Sequence, residues 1–369
     1  MFQIPWSEQT LPHFVLEVNQ VCNIRCKTCY KRFTGETKSL AQIEDELDLI
    51  ASRRRIQTVS IMGGEPTLHP ELPAVVRAVC ARNLKATLVT NGLVVDLPML
   101  EALKAAGLDM VMFHIDTLQK RGDLPEGAGQ EQVEALRTEK VQLAAAAGLD
   151  AGLSFVVGRE NFGELLPLVR YVLERPEVSF LLVTHSLAVD RFVAAARAGE
   201  TFDVNGRTSN DEVYALLSAE LGLEPFGYLP SAKIDGQPRR KLQWINYFVP
   251  VIYRDGGHRI FQTVSGRPDE VVLRLYRAVA GRYVFYTRQD RTLMAAQLLL
   301  NGILSLRARE TLAFLAELRR PGSVLRGKRF AFDNGHFLTP AGEVACMEHC
   351  PNPTVRDGRI VPVCLADHL

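Results

Sequence analysis

Apolar and polar positions alternate along His13-Phe14-Val15-Leu16-Glu17-Val18-Asn19. This predicts a first strand with Phe14, Leu16 and Val18 on one face and Glu17 and Asn19 on the other. The period then changes. Ser39-Leu40-Ala41-Gln42 has capping-box spacing, and Leu40, Ile43, Leu47 and Ile50 recur at helical intervals to about Arg53. Thr58–Met62 reads as the second strand, closed by Gly63-Gly64. The same unit repeats, with helices near 71–82, 96–106, 130–147 and 163–174 leading to strands at 85–90, 109–117, 151–157 and 178–184. Six strands separated by helices predict an α/β fold with a parallel sheet and helical crossovers.

Beyond residue 187 the pattern loosens. A helix is expected over 187–198, a loop at Asn205-Gly206, and a capped helix from Ser209-Asn210-Asp211-Glu212. The Gly/Pro-rich stretch 225–238 reads as a loop, and the aromatic run 242–254 as strand with a return arm at 259–263. Helices near 268–280, 292–301 and 306–319 follow, and buried core is the expected use of most rings in this part. At the end, 354–361 reads as a small hairpin turning at Asp357-Gly358, which would bring Cys364 back beside Cys346 and Cys350.

Composition changes this picture little. An apolar fraction of 47% and a net charge of +1, from 43 basic and 42 acidic residues, argue against disorder and against a surface built for nucleic acid. No apolar segment reaches membrane-span length, and no signal peptide stands at the N-terminus. The seven cysteines fall as two groups of three plus Cys80, which suits metal ligation in a reducing compartment, so the cytoplasm is expected.

The first group, Cys22, Cys26 and Cys29, has C-x3-C-x2-C spacing directly after the first strand. Three thiolates on one tight loop suit a [4Fe–4S] cubane and leave one of its irons open to an exogenous ligand. This arrangement resembles the radical S-adenosylmethionine (SAM) superfamily. Cys29-Tyr30 matches its aromatic neighbour of the last cysteine, Met62-Gly63-Gly64-Glu65-Pro66 its Gly-Gly-Glu-Pro segment, and Thr90-Asn91-Gly92 the end of its third strand. The resemblance implies a partial (βα)6 TIM-like barrel over roughly residues 12–200, with the chemistry at the carboxyl ends of the strands. It also implies SAM chelated at the open iron and cleaved reductively to a 5′-deoxyadenosyl radical, which takes hydrogen from a substrate. Gly63, Gly64 and Glu65 then receive the methionyl ammonium, and Tyr30 and Asn91 belong to the cofactor site.

Strand periodicity adds candidates. Val111, Phe113 and Ile115 form an apolar face for helices, which turns Met112, His114 and Asp116 inward. Asp116 is expected at the SAM ribose or the substrate, His114 beside it, and His185 as a proton handler at the end of strand six. The fifth strand ends in Val157-Gly158-Arg159-Glu160-Asn161, where Asn161 is a candidate ribose contact. Cys346, Cys350 and Cys364 are expected to hold a second iron–sulfur cluster; a structural zinc completed by His349 or His336, or unliganded thiols, are the alternatives.

The expected organisation is therefore a barrel at 1–200, a substrate-shaping α+β region at 201–330 and a small Cys-rich metal module at 331–369. The expected activity is hydrogen abstraction from a small-molecule or lipid-like substrate, coupled to C–C bond formation or carbon-fragment transfer, with electrons from a flavodoxin or ferredoxin. A peptide or cofactor maturase, an iron–sulfur electron carrier and a tRNA-modifying enzyme are the alternatives.

Overall fold

The computed structural model describes residues 1–186, 207–234, 239–261, 266–285, 291–304, 308–338 and 344–368, so the helix expected over 187–198 and the loop at 205–206 lie outside the described residues. Strands β1 (His13–Glu17), β2 (Thr58–Met62), β3 (Lys85–Thr90), β4 (Met110–His114), β5 (Asp150–Val157) and β6 (Val178–His185) lie side by side in chain order. Every neighbouring pair is parallel. Helices α1 (Leu40–Arg53), α2 (Leu72–Ala81), α3 (Leu97–Ala105), α4 (Gln130–Ala146) and α5 (Leu165–Glu174) make the crossovers. The expected capping box forms at α1: Ser39 Oγ accepts from Gln42 N–H at 3.3 Å, and Gln42 Oε1 accepts from Ser39 N–H at 2.8 Å.

The sheet continues past β6. Strand β8 (Val324–Asp333) lies parallel beside β6, with Asp333 opposite Thr184, and β7 (Trp244–Arg254) runs antiparallel to β8. The short strand Gly227–Leu229 pairs with β7, and Phe2–Gln3 pairs with Gly227–Leu229. Among the described residues the sheet stays open, with β1 at one end and Phe2–Gln3 at the other. The arrangement is the expected partial barrel with a C-terminal α+β extension, whose helices are Gly266–Ala280, Arg291–Leu304 and Ala308–Leu318. Gly227–Leu229 corrects the loop read over 225–238; three residues are too few to show a period, and pairing with β7 decides their backbone. Strand four also stops earlier than expected, because the Asp116 carboxylate accepts the N–H of Leu118 at 2.9 Å and turns the chain.

Two apolar layers follow from the strand alternation. Phe14, Leu16, Val18, Val111, Phe113 and Ile115 pack in the main core that also takes in the helices. The inward positions Met110, Met112, Phe180, Trp244 and Ala331 form a separate cluster with Trp6, Cys346 and Met347. Residues near the start of the chain and from its C-terminal part thus pack together on the inner face.

His13 enters this interior at the amino end of β1. Its Nδ1 lies 2.8 Å from Thr58 Oγ1, and its ring stacks on Phe285 at 4.4 Å. Burial lowers its pKa to about 3. The unfolded chain therefore binds this proton first as pH falls. The stability His13 contributes is complete above about pH 6.5 and is lost as pH falls towards 3, by up to about 1.4 kcal/mol per unit. Urea unfolding from pH 7 to pH 4 should show this slope, and His13→Phe should make it shallower by about one proton. An unchanged slope would mean that His13 is protonated in the folded protein.

Candidate active site

The three N-terminal cysteines lie on the loop after β1, at the carboxyl end of the parallel strands. Arg25–Cys26 pairs antiparallel with Gln119–Lys120, Lys27 N–H donates to Leu118 O at 2.9 Å, and Cys29 N–H donates to Cys26 O at 3.3 Å. Cys22, Cys26 and Cys29 line one cavity together with Gly63, Gly64, Glu65, Asn91 and His114. Burial, first among the causes, pushes all three thiols up. Desolvated thiols of this kind ionise when a cationic metal group neutralises them.

The seam beneath the loop is made by the two glycines. Gly64 N–H donates to Asn19 O at 3.0 Å and to Asn19 Oδ1 at 3.1 Å, Glu65 N–H donates to Val21 O at 2.6 Å, and Asn19 Nδ2 donates to Glu65 O at 2.8 Å. A Cβ on Gly63 would fall 2.6 Å from Asn19 O, and one on Gly64 would fall 2.5 Å from the Val21 carbonyl carbon. Only glycine admits this approach. The residues fit a [4Fe–4S] group with a chelated amino acid: three thiols of the right donor type face one cavity, beside a backbone seam with no side chains in the way.

Glu65 is 1% exposed and heavily bonded. Its Oε1 accepts from Thr67 N–H (3.0 Å), Thr67 O–H (2.6 Å) and Thr90 O–H (2.6 Å), and its Oε2 from Asn91 N–H (2.7 Å). Burial pushes its carboxyl up, opposed by these donors. The carboxylate thereby ties the end of β2 to the end of β3. Asn91 continues the network: its Nδ2 donates to Asn23 Oδ1 at 2.8 Å and stands 3.9 Å from Cys22 Sγ. Gly92 follows with φ +75°, the left-handed conformation that this turn requires.

His114 and Asp116 come together as periodicity suggested, with His114 Nε2 at 2.9 Å from Asp116 Oδ2. Burial works to raise the Asp116 carboxyl, but His114 and the N–H groups of Leu118 and Val156 overcome it and hold the group below its ordinary value. Asp116 is thus a buried anion that orients His114, and His114 lines the cysteine cavity and the lumen beyond it. Two other candidates are placed differently. Asn161 Oδ1 accepts from Gly158 N–H at 2.7 Å and its Nδ2 donates to Val156 O at 2.9 Å, which uses the side chain within its own loop. His185 faces the lumen, but Nδ1 lies 2.6 Å from Thr208 Oγ1 and Nε2 3.0 Å from Asn210 Oδ1, and burial lowers its pKa to about 4. A neutral imidazole bonded at both nitrogens holds its surroundings in place and is poorly suited to carry protons.

The lumen continues from His114 and Tyr30 past Met112, Phe180 and Trp244 to Asp333, Cys350 and Cys364. The C-terminal hairpin forms as expected, Pro353–Arg356 against Arg359–Pro362, with Asp357 and Gly358 both at positive φ in the turn. It brings the three cysteines together, since Cys350 and Cys364 hydrogen-bond the buried Cys346 thiol and hold it well below its usual value. Among the described residues, no three His, Cys, Asp or Glu side chains converge as ligands of a single ion. A cluster does not need such convergence, because its cysteines bind different irons. Asp333 is the residue the sequence reading missed. Burial, with the neighbouring Cys346, pushes its pKa up to about 7, and its Oδ1 accepts from Gly335 N–H at 2.8 Å. It lies in no motif, and only the pairing of β8 with β6 brings it to the lumen.

An α/β protein with a three-thiol loop over a glycine seam at the carboxyl ends of its strands is built to present an iron–sulfur group to a barrel lumen. A family model described as the radical SAM superfamily matches residues 16–172, and over that part the chain is similar to the superfamily, whose members are enzymes that use a [4Fe–4S] cluster and SAM. Among curated relatives, the chain is similar to the tungsten-containing aldehyde ferredoxin oxidoreductase cofactor-modifying protein of Pyrococcus furiosus (27% identity, covering 44% of this chain and 48% of that one). It is also similar to the PqqA peptide cyclase of Gluconobacter oxydans (30%; 40% and 42%) and the mycofactocin maturase MftC of Mycobacterium ulcerans (32%; 40% and 41%). The chain thus spans less than half the length of each of these relatives. Among solved structures, Streptococcus suis SuiB bound to S-adenosylmethionine aligns at 16% identity with a TM-score of 0.41, over 58% of this chain and 49% of that one.

Proposed function

We propose that this protein is a radical SAM maturase, acting on a peptide or a peptide-derived cofactor precursor, with a second iron–sulfur cluster at Cys346, Cys350 and Cys364. The observation that carries the reading is the lumen itself, which has the first cysteine site at one end and Cys350 and Cys364 in its wall at the other. A group bound in that lumen is within reach of both sites. When bound at Cys22, Cys26 and Cys29, the cluster supplies the electron that cleaves SAM to methionine and a 5′-deoxyadenosyl radical. The chain's own part is placement. Gly63 and Gly64 offer backbone to the methionyl ammonium, Glu65 holds that backbone through Thr67, Thr90 and Asn91, and Asp116 orients His114 at the lumen mouth.

The expectation of a small or lipid-like substrate is set aside in favour of the maturase, because relatives named as a cofactor-modifying protein, a peptide cyclase and a maturase support the latter better. The low-potential donor is a flavodoxin or ferredoxin, and seven free cysteines suit the reducing cytoplasm. Among the described residues no helix is long and apolar enough to cross a membrane.

Anaerobic reconstitution tests this reading. The native chain should bind about eight irons and C346A/C350A/C364A about four, with SAM cleavage to 5′-deoxyadenosine retained in the variant. Four irons in both would remove the second cluster. Peptides encoded beside the gene for this chain should raise 5′-deoxyadenosine formation and change in mass. Turnover of a small molecule with no response to any such peptide would return the substrate to the small-molecule class.

A further inference from the structure

The last residues of the chain lie against the residues that follow Cys29. His368 Nε2 is 2.9 Å from Tyr30 O, Arg32 N–H donates to Asp367 Oδ2 at 3.0 Å, and Lys31 Nζ pairs with Asp367 Oδ2 at 3.0 Å. Arg356, on the C-terminal hairpin, reaches Asp367 at 2.5 Å and Glu17, the last residue of β1, at 3.0 Å; Lys31 also pairs with Glu17. The Tyr30 ring packs with Leu365 and Cys364. The side chains of Lys31, Glu17 and Asp367 are only 4%, 3% and 5% exposed. Surface pairs of this type contribute little, but buried networked charges are costly to break because each charge left behind is unpaired.

The strand order of the sheet does not require this network. The pairing of the strands from β1 to β6 is complete without it, and it ties the chain after Cys29 to the segment after Cys364, with Glu17 and Arg356 bridging the two. Each segment is anchored next to a cysteine, Tyr30 directly after Cys29 and Asp367 three residues after Cys364. We infer that the segment Cys364–His368 is the positioning element for the Cys29 side of the first cysteine loop, so that the two cysteine sites are set in register with each other. This rests on the proposed reading that Cys22, Cys26 and Cys29 carry the cluster that binds SAM. Asp367 acts on backbone and charge: it holds Arg32 N–H and the Lys31 ammonium, and through them the path of the chain out of Cys29.

The test uses the full reconstituted chain and reads the first cluster spectroscopically. Asp367→Asn keeps the size of the side chain but removes the charge that faces Lys31 and Arg356. It should load iron as the native chain does, yet bind SAM about tenfold more weakly and show a diminished SAM-induced change in the electron paramagnetic resonance signal of the reduced cluster. Asp367→Glu should restore part of that change. Arg82→Ala, at an exposed pair with Asp48, should leave it intact. If Asp367→Asn does not fold, Arg356→Lys decides, with a smaller shift in the same direction expected. A native SAM response in Asp367→Asn, or in a folded Arg356→Lys where the former is lost, would overturn the inference alone. A native chain that binds no cluster at Cys22, Cys26 and Cys29 would sink the cluster reading and this inference with it.

Discussion

Gly64→Ala should lose SAM cleavage by at least about 100-fold, with iron content at the first site also reduced. The new methyl would fall 2.5 Å from the Val21 carbonyl carbon and 3.0 Å from Val21 N, so it meets backbone and no flexible side chain. Relief requires the glycine seam and the Cys loop to part. That motion breaks the bonds from Gly64 N–H to Asn19 O and from Glu65 N–H to Val21 O. Backbone contacts this short cannot be relieved by a side-chain rotation, so the loop itself must move. Because Val21 precedes Cys22, the displacement goes directly into the thiol positions. The assay is 5′-deoxyadenosine formed per reconstituted chain. Wild-type cleavage in this variant would show that the loop is not fixed by the seam.

The second large effect is expected from Glu65→Gln, a substitution that hardly changes shape. Both carboxylate oxygens face backbone donors, Oε1 the Thr67 N–H and Oε2 the Asn91 N–H. A backbone N–H cannot turn round, so either orientation of the amide sets its NH2 against one of them. A buried N–H left without an acceptor costs about 1–3 kcal/mol, and more where the lost acceptor was charged. We therefore expect about 2–4 kcal/mol of destabilisation at pH 7, seen as a melting temperature lower by several degrees. SAM affinity should fall as well, since Asn91 loses its anchor beside Cys22. Were the variant to melt within about one degree of the native protein, Glu65 would not be the tie between β2 and β3, and a direct contact with the ligand would become its main role.

These two residues also separate what was legible in the sequence from what was not. Gly63, Gly64 and Glu65 stood out as a motif, and their position after the second strand was readable from the switch between periods of two and about 3.6. Their division of labour was not. Only the structure shows the Glu65 carboxylate occupied by Thr67, Thr90 and Asn91, which is why the proposed ammonium contact falls to the backbone of Gly63 and Gly64. His185 and Asn161 were picked out because they end strands. Whether a strand-end side chain serves a cavity or its own loop depends on neighbours distant in sequence, here Thr208 and Asn210 for His185. Asp333 had no local signal at all. Its strand is interrupted by Arg326-Gly327-Lys328-Arg329 and shows no sustained alternation, and its place in the lumen comes from joining the sheet beside β6.

The sequence by itself determined the strand and helix order of the first half, the inward and outward faces of β1 and β4, and the cysteine spacing with its family resemblance. Each of these is written in near neighbours, through alternation, capping and short motifs. The tertiary structure alone decided how the two ends of the chain meet. It set β8 parallel to β6, turned Cys350 and Cys364 to the lumen, and closed Lys31, Glu17, Arg356 and Asp367 into one buried network. The physical reason is range: a hydrogen bond or ion pair between residue 31 and residue 367 leaves no periodicity in either segment, and it exists only once the sheet has brought both to the same end.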